Sequence, residues 1–122
     1  MRDHKKLRVF HMADELATLI YDLIKTFPEE EKYNIADQLR RSAVSVPSNI
    51  VEGCGRKTQK DYLKYINIAY ASAKEAEYQT ELAKRFGYME EAQANDILAK
   101  FDTIAKCLNA LQSSLPRSKS ER

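Results

Sequence analysis

Chain breakers are scarce in this sequence, since its 122 residues include three glycines and three prolines. Sheet proteins need frequent turns, and glycine and proline supply many of them. Long stretches without either residue therefore favour long helices joined by a few short connections. The apolar residues agree with this, because they recur three and four positions apart, which is the spacing of one helix face.

The apolar pattern and the breakers together predict four helices. They run from about Leu7 to Thr26, Glu30 to Glu52, Thr58 to Phe86 and Glu90 to Leu115. Helices of this length with short connections favour an all-α protein, an antiparallel up-down four-helix bundle. We assign residues 1–116 to this one domain and residues 117–122 to a disordered C-terminal tail.

The second helical pattern continues through a proline. Leu39, Ala43, Val46 and Ile50 keep their spacing on both sides of Pro47. Proline removes one backbone donor and crowds the preceding turn, so we expect a second helix that is kinked at Pro47 rather than ended there.

The connection to the third helix contains two glycines and a helix-start signal. We expect Gly53 and Gly55 to adopt the left-handed conformation that closes a helix. Thr58, with Asp61 three residues later, resembles a capping box. The sequence therefore predicts a tight corner between the second and third helices.

Positive charge concentrates near this corner. The formal net charge of the chain is +2, but residues 9–39 carry −5 and residues 40–64 carry +4. The cations of the second segment are Arg40, Arg41, Arg56, Lys57, Lys60 and Lys64. Guanidinium groups and the start of a helix both suit phosphate, so we predict a nucleic-acid-binding surface here. Salt bridges within the bundle or between subunits, and simple solvation, are the alternatives.

No pattern in the sequence indicates catalysis or metal binding. Cys54 and Cys107 lack a metal-ligand spacing, and His11 with Glu15 gives two potential ligands, which do not make a site. We therefore expect a protein that is not an enzyme and holds no metal or cofactor.

The chain also lacks the signals of membrane proteins. No apolar run approaches the roughly 20 residues that span a bilayer, and the first residues lack a signal-peptide core. We expect a cytoplasmic protein without a membrane partner.

The third helix carries more apolar residues than one face can hold. Its main stripe includes Tyr62, Ile66, Ala69, Tyr70, Ala73 and Ala76. Other apolar residues fall mostly on the opposite side, and surplus exposed apolar surface marks interfaces. We predict an oligomer interface made by Ile68, Tyr78, Leu82 and Phe86. A curved helix that buries both sets is the alternative.

The central segment resembles a known family, the small bacterial four-helix bundle proteins named after intervening sequences of 23S rRNA genes. The matching motifs are Arg40-Arg41, Ser45-Val46-Pro47-Ser48-Asn49, Glu52-Gly53-Cys54-Gly55-Arg56, Lys60-Asp61-Tyr62 and Gly87-Tyr88. The resemblance covers about residues 7 to 112.

This resemblance implies an antiparallel four-helix bundle that assembles as a ring-like homopentamer and has no established enzymatic activity. The family is similar in fold to the accessory proteins of diversity-generating retroelements, which form basic barrels that hold a reverse transcriptase and nucleic acid. Our first hypothesis is an oligomeric bundle that binds RNA or DNA or scaffolds a ribonucleoprotein. The alternative is an adaptor whose homo-oligomeric ring captures a partner polypeptide.

Overall fold

The computed structural model describes residues 1–114, and it builds this part of the chain from helices. The four α-helices are α1 (Arg8–Leu23), α2 (Ile35–Cys54), α3 (Gln59–Arg85) and α4 (Glu91–Ser114). Three short 3-10 turns add His4–Lys6, Ile24–Thr26 and Glu29–Glu31. The predicted disordered tail at 117–122, and the predicted helix end at Leu115, lie outside the described residues.

The helices pack as the four corners of an up-down bundle. Each one contacts its two neighbours in the cycle α1–α2–α3–α4. The connections 55–58 and 86–90 are short, which makes consecutive helices antiparallel. The predicted all-α four-helix bundle is confirmed. We call the end that holds residues 1–7 and the α2–α3 connection the basic end, and the end that holds residues 24–34 and 86–90 the opposite end.

The core lies along the axis of the bundle and takes residues from all four helices. Its fully buried large side chains include Ile20, Leu39, Ile50, Tyr62, Ile66, Ile97, Phe101, Ile104 and Leu108. The α3 residues among them belong to the main stripe that the sequence predicts. Pro47 lies buried within α2, which continues through it from Ile35 to Cys54. A kink at Pro47 stays a prediction.

The second helix begins later than expected. The predicted start at Glu30 is wrong, because Glu29–Glu31 forms a 3-10 turn and α2 starts at Ile35. The side chain of Asn34 donates a hydrogen bond back to the Glu30 carbonyl at 3.1 Å. Such a local bond offers the backbone an alternative to the helix, which delays the first α-helical turn.

The glycines of the corner do not adopt the conformation that the sequence suggested. Gly53 lies inside α2 and Gly55 follows it with φ of −81°, so the predicted left-handed geometry is wrong for both. Among residues 1–114 the positive φ belongs to Gly87, at 80°, just after α3. The predicted Thr58 cap is confirmed, since its hydroxyl accepts a hydrogen bond from the Asp61 amide at 3.1 Å.

Candidate nucleic-acid interface

A seam of small polar side chains joins α2 to α3 and positions the basic end. Ser42 donates to the side-chain oxygen of Gln79 in the buried part of this seam. Nearer the basic end, the hydroxyls of Ser45 and Ser72 lie 2.8 Å apart. Asn49 donates to the Ser45 hydroxyl at 2.9 Å and to the Ser45 carbonyl at 2.8 Å. Ser42 and Ser45 therefore link α2 to α3, and Asn49 holds the Ser45 hydroxyl from within α2.

Gly53 ends this seam at a point where α3 approaches α2 closely. A methyl group at Gly53 would lie 3.1 Å from Cβ of Tyr65 and 3.2 Å from the carbonyl oxygen of Tyr62. Absence of a side chain thus lets α3 lie directly against the last turn of α2. This contact, and not a left-handed turn, is the structural reason for glycine here.

Arg56 is held in place by two groups. Its guanidinium donates to the carboxylate of Glu52 and, at 2.9 Å, to the hydroxyl of Tyr65. It also lies over the Tyr65 ring, 4.6 Å from the centroid. The hydrogen bond with Glu52 raises the pKa of Arg56. Arg56 is consequently a cation with a fixed position at the basic end. Glu52 already balances part of its charge.

The lysines beyond Arg56 differ from it, since none of them forms an ion pair with an acidic residue of the described part of the chain. Within residues 1–114, Lys57 and Lys60 form no ion pair, and both are exposed. Lys64 lies over the same Tyr65 ring, with its ammonium 5.6 Å from the centroid. Lys60 and Lys64 lie in the first two turns of the 27-residue α3, and Lys57 lies just before its N-cap Thr58. The N-terminal end of a helix carries partial positive charge.

The N-terminal segment adds a cation that the sequence reading missed. The Arg2 amide donates to the Cys54 carbonyl at 2.9 Å. Its guanidinium lies 3.8 Å from the centroid of the Tyr62 ring. The start of the chain therefore lies against the corner and brings the Arg2 guanidinium to it. The positive charge of residues 1–8 was visible in the sequence, but their position against α2 and α3 was not.

Two of the predicted cations do not belong to this surface. Arg40 and Arg41 both bind Asp37, Arg41 through Nε at 2.9 Å. The hydrogen bond from Arg40 is the main reason that the pKa of Asp37 is lowered. Arg40 precedes Cys54 by fourteen residues, which is about 21 Å along a helix. The predicted grouping of all six cations at the corner is wrong for these two.

The predicted oligomer-interface residues of α3 fall into two groups. Ile68, Tyr78 and Phe86 are exposed, at 38%, 55% and 55% of their full area. Leu82 is half-buried and packs against the core. α3 thus exposes apolar surface to solvent, but Leu82, one of the four predicted interface residues, also packs against the core of the monomer.

Cysteines and acidic side chains are groups that can hold a metal ion or, as thiolates, react as nucleophiles. Cys54 is buried, and burial raises the pKa of its thiol. Residues 1–114 contain no cluster of three or more His, Cys, Asp and Glu side chains arranged to hold a metal ion. In the same part of the chain no helix has the length and apolar character needed to cross a membrane.

These features define a small helical-bundle protein whose candidate site is a charged surface at one end. The chain belongs to the family of 23S rRNA-intervening sequence proteins, whose model matches residues 5–110. The family assignment made from the central motifs is therefore confirmed.

One solved structure that resembles the chain comes from Bacteroides thetaiotaomicron. It is a crystal structure at 1.70 Å of a protein of unknown function from the S23 ribosomal protein family. It shares 30% identity with this chain at a TM-score of 0.81, over 87% of this chain and 96% of that one. No curated protein sequence matches the chain.

Proposed function

We propose that this protein is a non-catalytic, homo-oligomeric bundle of the cytoplasm that binds nucleic acid through its basic end and scaffolds a ribonucleoprotein. The observation that carries the proposal is the pair Lys57 and Lys60, which are exposed and free of ion pairs among the described residues. They stand beside the cationic groups of Arg2, Arg56 and Lys64 at the same end.

The arrangement suits contact with phosphates rather than reading of bases. Arg2 and Arg56 are held against tyrosine rings, so their positions are set before a ligand arrives. Lys57 and Lys60 are free to move and to replace the counterions of a phosphate backbone. Contacts to phosphates carry no information about the bases, so the proposed binding does not depend on sequence. RNA and DNA are both candidate ligands.

Assembly increases the strength of such a surface. A single basic end with a few phosphate contacts binds weakly, but copies of it on one particle act together on one long ligand. We propose a homo-oligomer, and the family resemblance implies a pentamer. Five basic ends on one ring would bind nucleic acid far more tightly than a lone protomer.

Charge reversal at the two ends of the bundle tests the proposal. We expect the double variant Lys57→Glu, Lys60→Glu to bind a labelled RNA duplex at least about tenfold more weakly than wild type at about 50 mM salt. The matched control is Lys25→Glu, Lys32→Glu, which makes the same charge change at the opposite end. Fluorescence anisotropy measures both, and circular dichroism checks that each variant is folded.

The outcomes separate the two candidate functions. Equal weakening by both double variants, or no binding by wild type to RNA or DNA at this salt, would contradict the nucleic-acid proposal. Purification of one stoichiometric protein partner that survives nuclease treatment, together with absence of nucleic-acid binding, would favour the adaptor alternative.

A further inference from the structure

A cavity opens at the opposite end of the bundle, where the end of α1, the connection that follows it and the first turns of α2 meet. Its volume is about 390 Å³, within the range of about 300–1,000 Å³ that is typical of small-molecule sites. The described residues that line it fall between positions 21 and 40. The cavity is therefore separate from the basic end, and it includes Arg40, which the basic end does not.

Part of the cavity wall is apolar. Phe27 and Ala36 are buried, at 7% and 5% of their full area, and both line the cavity. Ile24, which is half-buried, and Pro28 also line it. Such a wall gives the apolar part of a ligand a surface on which it can leave water.

Two exposed tyrosines also line the cavity, and each has a lysine over its ring. Tyr21 and Tyr33 are exposed at 52% and 83%. The ammonium groups of Lys25 and Lys32 lie 5.4 and 5.6 Å from the centroids of these two rings. Tyrosine rings favour stacked or edge contacts with another flat ring. Aromatic surface and positive charge therefore occur together at this cavity.

Arg40 brings to the cavity a guanidinium that is already held in place. It donates a hydrogen bond to Asp37, and its side chain is 37% exposed. Among the described residues Asp37 is its hydrogen-bond partner. A guanidinium has five N–H donors in a planar fork, so Arg40 keeps donors for a second acceptor. Such a fork matches the two oxygens of a carboxylate.

The carboxylate of Asp37 is shared by two arginines. Arg41 donates to it through Nε at 2.9 Å, but in the described part of the chain Arg41 does not line the cavity. The hydrogen bond from Arg40 lowers the pKa of Asp37, so this carboxylate stays ionised at neutral pH. One negative charge thus faces two guanidinium groups, and one positive charge is left uncompensated.

The other charges of the cavity cancel. Lys25 forms an ion pair with Asp22 at 3.3 Å. Lys32 and Glu29 form no ion pair within residues 1–114, but their charges are opposite and both line the cavity. The group as a whole therefore has a net charge of +1, which suits a ligand with a single negative charge.

We propose that this cavity binds a small organic monoanion with a flat apolar body, an aromatic carboxylate. The carboxylate accepts hydrogen bonds from Arg40, and the ring lies against the apolar wall. Glu29 repels a second negative charge, so a phosphate monoester is a poorer ligand. The proposal does not depend on nucleic-acid binding or on self-association.

Binding of naphthoate to the full chain tests the proposal. Naphthoate joins a carboxylate to a flat apolar ring, and naphthamide has nearly the same shape without the charge. Naphthyl phosphate carries about −1.5 to −2 at neutral pH. We expect equilibrium dialysis at about 50 mM salt, where screening is modest, to show naphthoate bound at least about tenfold more tightly than either other compound.

Two substitutions at the shared carboxylate provide a matched pair. Arg40→Gln should weaken naphthoate binding at least about tenfold, since it removes the anchoring fork. Arg41→Gln removes the other hydrogen bond to Asp37 but lies outside the cavity lining, so its affinity should stay within about threefold of wild type. Circular dichroism checks that both variants are folded.

A second pair keeps the test decisive if Arg40→Gln does not fold. Tyr33→Ala changes a side chain that is 83% exposed and lines the cavity, and it should weaken naphthoate severalfold. Tyr78→Ala changes a tyrosine of α3 that is 55% exposed, and it should leave the affinity unchanged.

Several results would contradict the proposal. Wild-type protein that retains no naphthoate, or that binds naphthamide equally well, would show that the cavity does not select a carboxylate. Tighter binding of naphthyl phosphate would contradict the match to a single charge. Equal losses in Arg40→Gln and Arg41→Gln would show that Arg40 is not the anchor.

This proposal and the proposed nucleic-acid binding can fail separately. The double variant Lys57→Glu, Lys60→Glu leaves the cavity unchanged, so it should bind naphthoate as wild type does. Loss of naphthoate in that variant would place the anion at the basic end and overturn the proposal. Naphthoate binding by a protein that binds no RNA or DNA would contradict the nucleic-acid proposal alone.

Discussion

The close contact at Gly53 gives the sharpest prediction about stability. Replacement of a helix-interior glycine by alanine normally stabilises a protein by about 0.5–1 kcal/mol. At Gly53 the new methyl group would lie 3.1 Å from Cβ of Tyr65 and 3.2 Å from the carbonyl oxygen of Tyr62. Both atoms are fixed to the α3 backbone, so relief requires the whole helix to move.

Overpacking of this kind costs about 1–3 kcal/mol, which exceeds the gain in helix propensity. We therefore expect Gly53→Ala to lower the free energy of unfolding by about 0.5–2 kcal/mol. Gly55→Ala is the matched control. Its methyl group would meet the Glu52 and Val51 carbonyls at 3.6 and 3.7 Å, which are ordinary contacts, and its φ of −81° suits alanine. That variant should be stabilised by about 0.4–1 kcal/mol.

Urea unfolding followed by circular dichroism at one fixed protein concentration measures both variants. With a slope of about 1–3 kcal/mol per molar urea, the two midpoints should differ on the order of 1 M. A Gly53→Ala protein with a midpoint equal to or above that of wild type would refute the argument. It would mean that α3 does not depend on the missing side chain for its position.

Four further substitutions test other contacts. Asn49→Ala should lower stability in urea by about 1 kcal/mol, since it removes the two hydrogen bonds that Asn49 donates to the carbonyl and hydroxyl of Ser45 within α2. Tyr88→Phe should lower the urea midpoint, because Tyr88 donates to Glu31 at 2.7 Å and ties the two connections of the opposite end together. Leu82→Glu should lower stability, measured by thermal melting, by about 1–2 kcal/mol, since Leu82 packs on the core. An unchanged melting temperature together with a lower mass of the particle in solution would instead place Leu82 in the predicted oligomer interface. The lowered pKa of Asp37 stabilises the fold above the ordinary aspartate pKa of about 3.9, and this contribution is lost as pH falls below that value. Asp37→Asn should therefore flatten the acid limb of a pH titration of stability, and an unaltered limb would contradict this.

Helix periodicity predicted most of the fold because bundle helices bury one continuous stripe each. The third helix illustrates this, since its observed span of Gln59–Arg85 agrees with the predicted Thr58 to Phe86. The start of α2 was mispredicted because the side chain of Asn34 competes for a backbone carbonyl. The sequence shows which residues can make such a bond but not whether they make it.

The candidate site was predicted only in part, since it is assembled from distant segments. Arg56, Lys57, Lys60 and Lys64 are close in sequence and stay close in the fold. Proximity in sequence was misleading for Arg40 and Arg41. Each residue of an α-helix adds about 1.5 Å along the helix axis, so these two arginines lie far from the α2–α3 connection. The position of Arg2 depends on contacts with α2 and α3 that no local pattern encodes.

The salt dependence of nucleic-acid binding tests the central claim most directly. Each phosphate contact contributes about 0.9 to the slope of log affinity against log salt for duplex DNA. We expect the slope for the variant Lys57→Ala, Lys60→Ala to be smaller than that of wild type by about 1.8 for each protomer in contact with the duplex. An unchanged slope in this variant, with affinity also unchanged, would show that the basic end does not contact the phosphates.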